Sequence, residues 1–168
     1  MKGYSKKIED IIMTLPSNKL IIARELYNEQ LKDIPELTYY KTLERLAQKE
    51  VIKHLTKGVY YRSEKWETEE KNISESIVRY YTENGCGVIV GKKFYNRIGI
   101  TKEEGEKTEV LSTRLSEEKK NICNVEIKKL NFNLNKETTQ MVKMLDIMQN
   151  CEKINPLNQK TLMRYLAY

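Results

Sequence analysis

The chain has 168 residues, of which 39% are hydrophobic and 32% are charged, and its formal net charge is +6. This length suits one ordinary domain or two small ones. No apolar run approaches the roughly 20 residues of a membrane span, and the first residues lack a signal-peptide core. We therefore expect a cytoplasmic protein without membrane contact. The three cysteines are widely spaced and odd in number, which argues against a disulfide framework or a zinc site.

The first third of the chain predicts three helices and one short strand. Apolar residues recur at helical spacing over 5–15 and 23–31, and again from about residue 36. The apolar run at 20–22 favours a brief strand between the first two helices. This order places a third helix after two short helical segments, as in helix-turn-helix domains.

The third predicted helix has one apolar face and one polar face. A capping box of Asp33 with Glu36 and a single cap at Thr38 compete for its first turn. Its predicted core face consists of four apolar residues: Leu37, Tyr40, Leu43 and Leu46. The polar face carries the candidate DNA-binding residues Thr38, Lys41, Thr42, Arg45 and Lys49, with Tyr39 beside them.

These polar side chains have the chemistry of a DNA recognition helix. Lysine and arginine neutralise phosphates or reach guanine acceptors in the major groove, and threonine contacts a base edge or a thymine methyl. An ordinary amphipathic helix would also present polar residues to solvent. The helix alone therefore does not decide the function.

A hairpin directly after this helix favours a winged helix-turn-helix. Residues 51–56 and 59–62 alternate as strands do, and Lys57-Gly58 between them supplies a turn. The expected phosphate contacts of this wing are Lys53, Lys57 and Arg62. The single histidine, His54, is a weak candidate for a further DNA contact.

The basic excess of the chain collects on the third helix and the hairpin. Residues 1–36 contain six basic and six acidic residues, whereas residues 37–62 contain six basic against two acidic. Residues 63–168 contain eighteen against sixteen. Because charge and motif coincide, we predict a winged helix-turn-helix DNA-binding domain over 1–65.

The remainder, 66–168, predicts a small α+β domain, so the fold class of the whole chain is α+β. A polar segment at 63–71 that contains Trp66 is the predicted linker. The predicted elements are a helix over 73–84, an apolar segment at 88–90, a short helix over 92–98, strands over 108–115 and 122–130, and helices over 136–151 and from 159. Polar residues between the two strands predict a hairpin loop. The stripe of the 136–151 helix predicted to fill the core is Met141, Met144, Leu145 and Met148.

The residues argue against catalysis. The chain has one histidine, on the predicted wing, so it lacks the side chains that metal sites and histidine-based catalysis usually need. The glycines of 85–91 fit neither a P-loop nor a dinucleotide fingerprint. We therefore expect a protein that is not an enzyme and has neither cofactor nor metal.

Two runs of residues, one in each half, are similar to a known family. The first is Leu43-Glu44-Arg45-Leu46 followed by Lys49, Ile52 and Lys57-Gly58-Val59-Tyr60-Tyr61; the second is Gly91 with Ile98-Gly99-Ile100-Thr101, followed by Glu109-Val110-Leu111-Ser112. Together they resemble the AbiEi-family antitoxins of type IV toxin–antitoxin systems, which abort phage infection. The resemblance implies a transcriptional repressor of its own operon that binds inverted repeats in double-stranded DNA, as a homodimer would. It also implies an antitoxin domain that counters a nucleotidyltransferase-like toxin.

One alternative stays open at this point. Some winged helices serve as protein-interaction modules and do not bind DNA. In that case the basic residues of the helix and hairpin only solvate a surface.

Overall fold

Seven α-helices and seven β-strands lie in the part of the chain that the structure, a computed structural model, describes: residues 3–62 and 69–167. They form two units, Met1–Ser76 and Ile77–Tyr168. The boundary between the units therefore falls after residue 76, and not near residue 65 as expected. Residues 63–68 of the predicted linker, Trp66 among them, lie outside the described residues. The mixed α+β class is confirmed.

The N-terminal unit contains three helices and a three-stranded antiparallel sheet. Its elements are α1 (Tyr4–Thr14), β1 (Lys19–Ile22), α2 (Ala23–Gln30), α3 (Glu36–Gln48), β2 (Lys53–Thr56) and β3 (Val59–Arg62). The strand order is β1-β3-β2, so that the last strand lies between the other two. Between β2 and β3 the chain turns at Gly58, whose φ of 73° favours glycine. The core is built from buried residues of all three helices and the sheet, such as Ile8, Leu26 and Leu43.

The start of α3 uses neither of the predicted caps. The helix begins at Glu36 after Pro35, without a side-chain hydrogen bond at the cap. Asp33 instead accepts a hydrogen bond at 2.6 Å from Lys7 of α1. This bond holds the pKa of the Asp33 carboxyl below its ordinary value. Asp33 therefore ties α1 to the loop before α3.

The buried face of α3 is rotated by about one residue from the predicted face. Leu37, expected in the core, is 68% exposed, whereas Tyr39, expected outside, is 0% exposed. Tyr39 can be buried because its hydroxyl donates to the carbonyl of Ala23 at 2.9 Å. Its ring also lies 5.3 Å from that of Tyr27 of α2, and burial raises the pKa of its hydroxyl. Tyr39 is therefore a core residue.

The C-terminal unit contains a four-stranded mixed sheet. The unit begins at Ile77, within α4 (Glu69–Thr82). Its other elements are β4 (Gly87–Val90), α5 (Gly91–Arg97), β5 (Thr108–Ser112), β6 (Lys119–Ile122), β7 (Val125–Lys129), α6 (Lys136–Asn150) and α7 (Gln159–Leu166). The strand order is β4-β5-β7-β6. Glycine is required at Gly91, where φ is 74° and an added Cβ would meet the Glu109 carboxylate.

The predicted hairpin of the C-terminal unit is wrong. The two expected strands correspond to β5 and β7, which pair in parallel. The expected loop between them contains β6, which pairs antiparallel with β7 across a turn at Cys123. Only Ile122 of β6 is buried, because β6 is an edge strand. Its polar composition therefore resembles that of a loop.

The predicted core stripe of α6 is also wrong. Met141, Leu145 and Met148 are exposed, and Met141 is 58% exposed. The buried residues of α6 are Val142 and Ile147. Asp146 of α6 also bonds to α5. Its Oδ2 accepts a hydrogen bond from the backbone amide of Gly91 at 2.9 Å and another from the hydroxyl of Tyr95. These bonds hold the inner face of α6 against α5, whereas Met141 and Met148 lie outside and Met144 is half-buried.

Candidate nucleic-acid interface

Three cations lie in a row along the outer side of α3. Lys41, Arg45 and Lys49 follow one another at steps of four residues, and all three side chains are exposed. Among the residues that the structure describes, no carboxylate forms an ion pair with any of them. We call these three residues the basic row. Its positive charge is available to an anionic partner.

Arg45 is held in place by the first helix. Its guanidinium donates to the hydroxyl of Ser5 at 2.7 Å. A hydroxyl neutralises no charge, and a guanidinium has five N–H donors, so Arg45 keeps donors for a partner. Ser5 thus orients Arg45 without reducing its charge.

Two predicted DNA contacts on α3 are wrong because their side chains are buried. Tyr39 lies in the core, as described above. Thr42 is also buried, and its hydroxyl donates to the carbonyl of Thr38 at 2.8 Å inside the helix. This bond allows the threonine to lie on the inner face. Thr38 itself is half-buried, so a part of its side chain stays accessible.

The hairpin of β2 and β3 contributes further cations near its turn. Lys57 is exposed in the turn, and Lys53 is half-buried at the start of β2. His54 is exposed, with its ring centre 5.0 Å from that of Tyr60. The structure therefore leaves Lys57 and His54 accessible on the hairpin, as predicted from the sequence. Whether they contact DNA stays a prediction.

Arg62, the third predicted phosphate contact of the hairpin, has a structural role in the N-terminal unit. Its guanidinium donates to the carbonyls of Met13, at 2.8 Å, of Ile12 and of Leu15. These carbonyls lie at the end of α1, where the helix itself supplies no donors. Arg62 therefore caps the C-terminus of α1, and its phosphate contact stays a prediction.

Because the buried face of α3 differs from the predicted one, its exposed face includes three residues that the sequence reasoning missed. Leu37, Glu44 and Gln48 are exposed beside the basic row. Glutamine can bond adenine at two positions, and an apolar side chain can contact a thymine methyl. The signal was present, because Leu37, Lys41, Glu44 and Gln48 are spaced at a helical period. This spacing was overlooked because Leu37 also fits the apolar spacing of the predicted core face.

Other kinds of site have no support in the described residues. No group of three or more histidine, cysteine, aspartate or glutamate side chains there could hold a metal ion. Cys86, Cys123 and Cys151 form no disulfide bond. Across residues 3–62 and 69–167, no helix has the length and apolar character that crossing a bilayer requires.

Comparison with known proteins adds little to this description. No protein-family model matches the chain, and no curated protein matches it. Among solved structures, the chain is similar to the mRNA-binding domain of elongation factor SelB from E. coli in complex with SECIS RNA, at 21% identity and a TM-score of 0.34. That match covers 64% of this chain and 97% of the other. A TM-score this low supports no inference about fold or function, and these comparisons assign the chain to no family.

Proposed function

We propose that the N-terminal unit is a winged helix-turn-helix domain that binds double-stranded DNA. The observation that carries this proposal is the basic row, which lies exposed along one helix and has no carboxylate partner among the described residues. The hairpin follows α3 directly and exposes Lys57 in its turn. The order of helices and strands in this unit is that expected of a winged helix.

In this proposal α3 enters the major groove. The helix has 13 residues, which at about 1.5 Å per residue is about 20 Å, and the groove is about 12 Å wide and admits one helix. Lys41 and Arg45 contact base edges or flanking phosphates, and Lys57 of the hairpin contacts the backbone. Glu44 lies in the same face, and a carboxylate there can accept a hydrogen bond from cytosine but repels phosphate. The face therefore has the means to select a sequence.

Binding of the full chain to a fluorescent duplex from upstream of its own gene tests this proposal. Replacing Arg45 by glutamine should weaken binding to this duplex by about tenfold or more, since a bidentate base contact contributes roughly 1–3 kcal/mol. Binding to a scrambled duplex should change less, so the preference between the two duplexes falls. Replacing Lys57 by glutamine should weaken both duplexes equally and lower the salt slope by about one.

A lysine on another helix provides the matched control. Lys6 of α1 is exposed and forms an ion pair with Asp10 at 3.4 Å, so Lys6→Gln removes the same charge from the same unit. It should leave both affinities nearly unchanged. Equal affinity for the two duplexes in the unaltered protein would contradict sequence-specific binding. Full activity after charge reversal at Lys53 and Lys57 would favour the protein-interaction module instead.

We further propose that the protein is a transcriptional regulator and an antitoxin. This part is supported by the resemblance of residues 43–61 and 91–112 to the AbiEi-family antitoxins. The protein would repress its own operon at an inverted repeat and counter a nucleotidyltransferase-like toxin. It would perform no catalysis of its own.

Co-expression with the neighbouring gene separates these two activities. The unaltered protein should restore growth to cells that express the toxin, and should repress a reporter that carries its own promoter. Arg45→Gln in the full chain should lose repression and keep the rescue, because it changes only the N-terminal unit. If the neighbouring gene product is harmless when expressed alone, the antitoxin role is wrong, while DNA binding is unaffected by that result.

A further inference from the structure

Two cations of the C-terminal unit lie against one aromatic ring. Phe94 of α5 is buried, and the Nζ atom of Lys143, from α6, lies 5.4 Å from its ring centre. The guanidinium carbon of Arg97, at the end of α5, lies 5.8 Å from the same centre. The ring of Tyr165, from α7, packs edge-on against Phe94 at 6.0 Å. Three helices thus bring two cations and a phenol to one place.

Arg97 and Lys143 have no acidic partner among the described residues. Within the described ranges, neither Arg97 nor Lys143 forms an ion pair or a hydrogen bond with a carboxylate. Burial, together with the charge of Arg97, lowers the pKa of Lys143 below its ordinary value. Other cations of the same unit are paired, such as Lys92 with Glu103 at 2.7 Å. The two charges at Phe94 therefore repel each other, and no described carboxylate offsets this repulsion.

The hydrogen-bond donors at this place suit a multiply charged anion. Arg97 is exposed, and Lys143 and Tyr165 are half-buried, so all three can be reached from solvent. The Tyr165 hydroxyl donates to Gln140 through a long bond of 3.3 Å, which a better acceptor could replace. A guanidinium offers a planar fork and an ammonium offers a point charge, and both bind phosphate oxygens well.

We propose that Arg97, Lys143 and Tyr165 form a binding site for a phosphate group. The phosphate would accept from the guanidinium, the ammonium and the phenol together, and its negative charge would compensate the repulsion between the two cations. Phe94 holds both cations in position through its ring face. The site lies within the C-terminal unit, so it does not depend on DNA binding by α3.

Titration of the full chain with inorganic phosphate tests this site. Backbone amide shifts around residues 94–97 and 140–143 should change with phosphate and not with sodium chloride of equal ionic strength. Arg97→Gln and Lys143→Met should each weaken phosphate binding by about tenfold, as expected for a hydrogen bond to a charged group. Tyr165→Phe should have a smaller effect. Arg97→Lys, which keeps the charge and loses the fork, should retain part of the affinity.

A second lysine of the same helix provides the control. Lys136 is exposed at the start of α6, so Lys136→Met removes an equal charge from α6 outside the site. It should leave phosphate binding within about twofold. Circular dichroism of each variant confirms that the fold is kept. Equal phosphate affinity in the Arg97→Gln, Lys143→Met and unaltered proteins, or a response no larger than that to chloride, overturns the proposal.

Two further ligands identify the source of the phosphate. Titration with adenosine monophosphate measures binding of a phosphate on a small molecule. Titration with a random DNA duplex measures binding of the phosphates of a nucleic-acid backbone. Loss of affinity on Arg97→Gln for the nucleotide alone assigns the site to a small molecule, and loss for the duplex assigns it to nucleic acid. A loss for both ligands also supports the site, and unchanged affinity for both ligands overturns it.

Discussion

The two units of the molecule arrange their uncompensated cations in different ways. The N-terminal unit spreads the three residues of the basic row along the exposed side of α3. The C-terminal unit instead brings Arg97 and Lys143 to one buried ring. A row of separated charges matches a polyanion, whose phosphates also repeat along a line. Two charges that face one ring suit a single anionic group.

Each unit also contains cations that carboxylates neutralise. In the N-terminal unit, Lys7 of α1 pairs with Asp33 at 2.6 Å. In the C-terminal unit, Lys119 pairs with Glu126 at 2.7 Å across two strands. Paired cations support the fold, whereas like charges held close together repel each other. Substitutions should therefore separate structural cations from those that serve a ligand.

The largest effect is expected at Arg62, the cation that resembles a DNA contact and is structural. Arg62→Met removes donors from three carbonyls at the end of α1, which should lower the free energy of unfolding by about 2 kcal/mol. Urea unfolding measures this change. Lys41→Met, which removes a member of the basic row, should leave the unfolding free energy nearly unchanged. If Arg62→Met is as stable as the unaltered protein, Arg62 is available to DNA after all.

A smaller loss is expected at Tyr39, which the sequence placed beside the DNA-binding face. Tyr39→Phe keeps the ring and leaves the carbonyl of Ala23 without its donor, at a cost of about 1.5 kcal/mol. Thermal unfolding should show a lower midpoint, while DNA affinity should be unchanged at a temperature where both proteins are folded. A selective loss of DNA affinity would mean that Tyr39 belongs to the interface.

Glu126 should make the stability of the C-terminal unit depend on pH. Hydrogen bonds from Lys119 and Lys128 lower its pKa below the ordinary value of 4.5. Because the folded pKa is the lower one, the stabilisation is present above pH 4.5 and is lost as the pH falls through the folded pKa. Glu126→Gln should therefore cost about 1 kcal/mol at neutral pH and less at an acidic pH below 4.5. Urea unfolding of both proteins at the two pH values measures the difference.

The smallest effect is expected at Lys143, and it has the opposite sign. Lys143→Met removes one of two like charges, which should raise the free energy of unfolding by about 0.5 kcal/mol at low salt. High salt should reduce the gain because it screens the repulsion. The same substitution at Lys136 should stabilise less. A loss of stability at Lys143 would show that its contact with Phe94 outweighs the repulsion from Arg97.

Local patterns predicted the elements of the N-terminal unit and failed where partners are distant in sequence. The hairpin was readable because two alternating runs flank Gly58. The buried face of α3 was not readable from the sequence, since the burial of Tyr39 depends on a carbonyl of α2. The basic residues 37–62 looked alike in the sequence. Only the structure distinguishes Arg62, whose partners lie about fifty residues earlier.

The C-terminal unit repeats this lesson at α6 and β6. Hydrophobicity favoured the methionine stripe of α6, but the inner face is fixed by Asp146, whose partners Gly91 and Tyr95 belong to another helix. The edge strand β6 has one buried residue and gives no strand pattern. Phosphate binding at Phe94 could not be expected either, because Arg97, Lys143 and Tyr165 lie on three separate helices.

The cap formed by Arg62 also helps to fix the position of the hairpin within the N-terminal unit. At one end of β3 its side chain fastens the strand to α1, and at the other end the carbonyl of Gly58 accepts from the amide of Ala23 at 2.9 Å. The distance from the turn of the hairpin to the outer side of α3 is therefore set by the protein. In the proposed complex, a duplex that meets both must present groove and backbone at that spacing, so a duplex that deforms readily binds at a lower cost. Preference among operators would then include base pairs that no side chain touches.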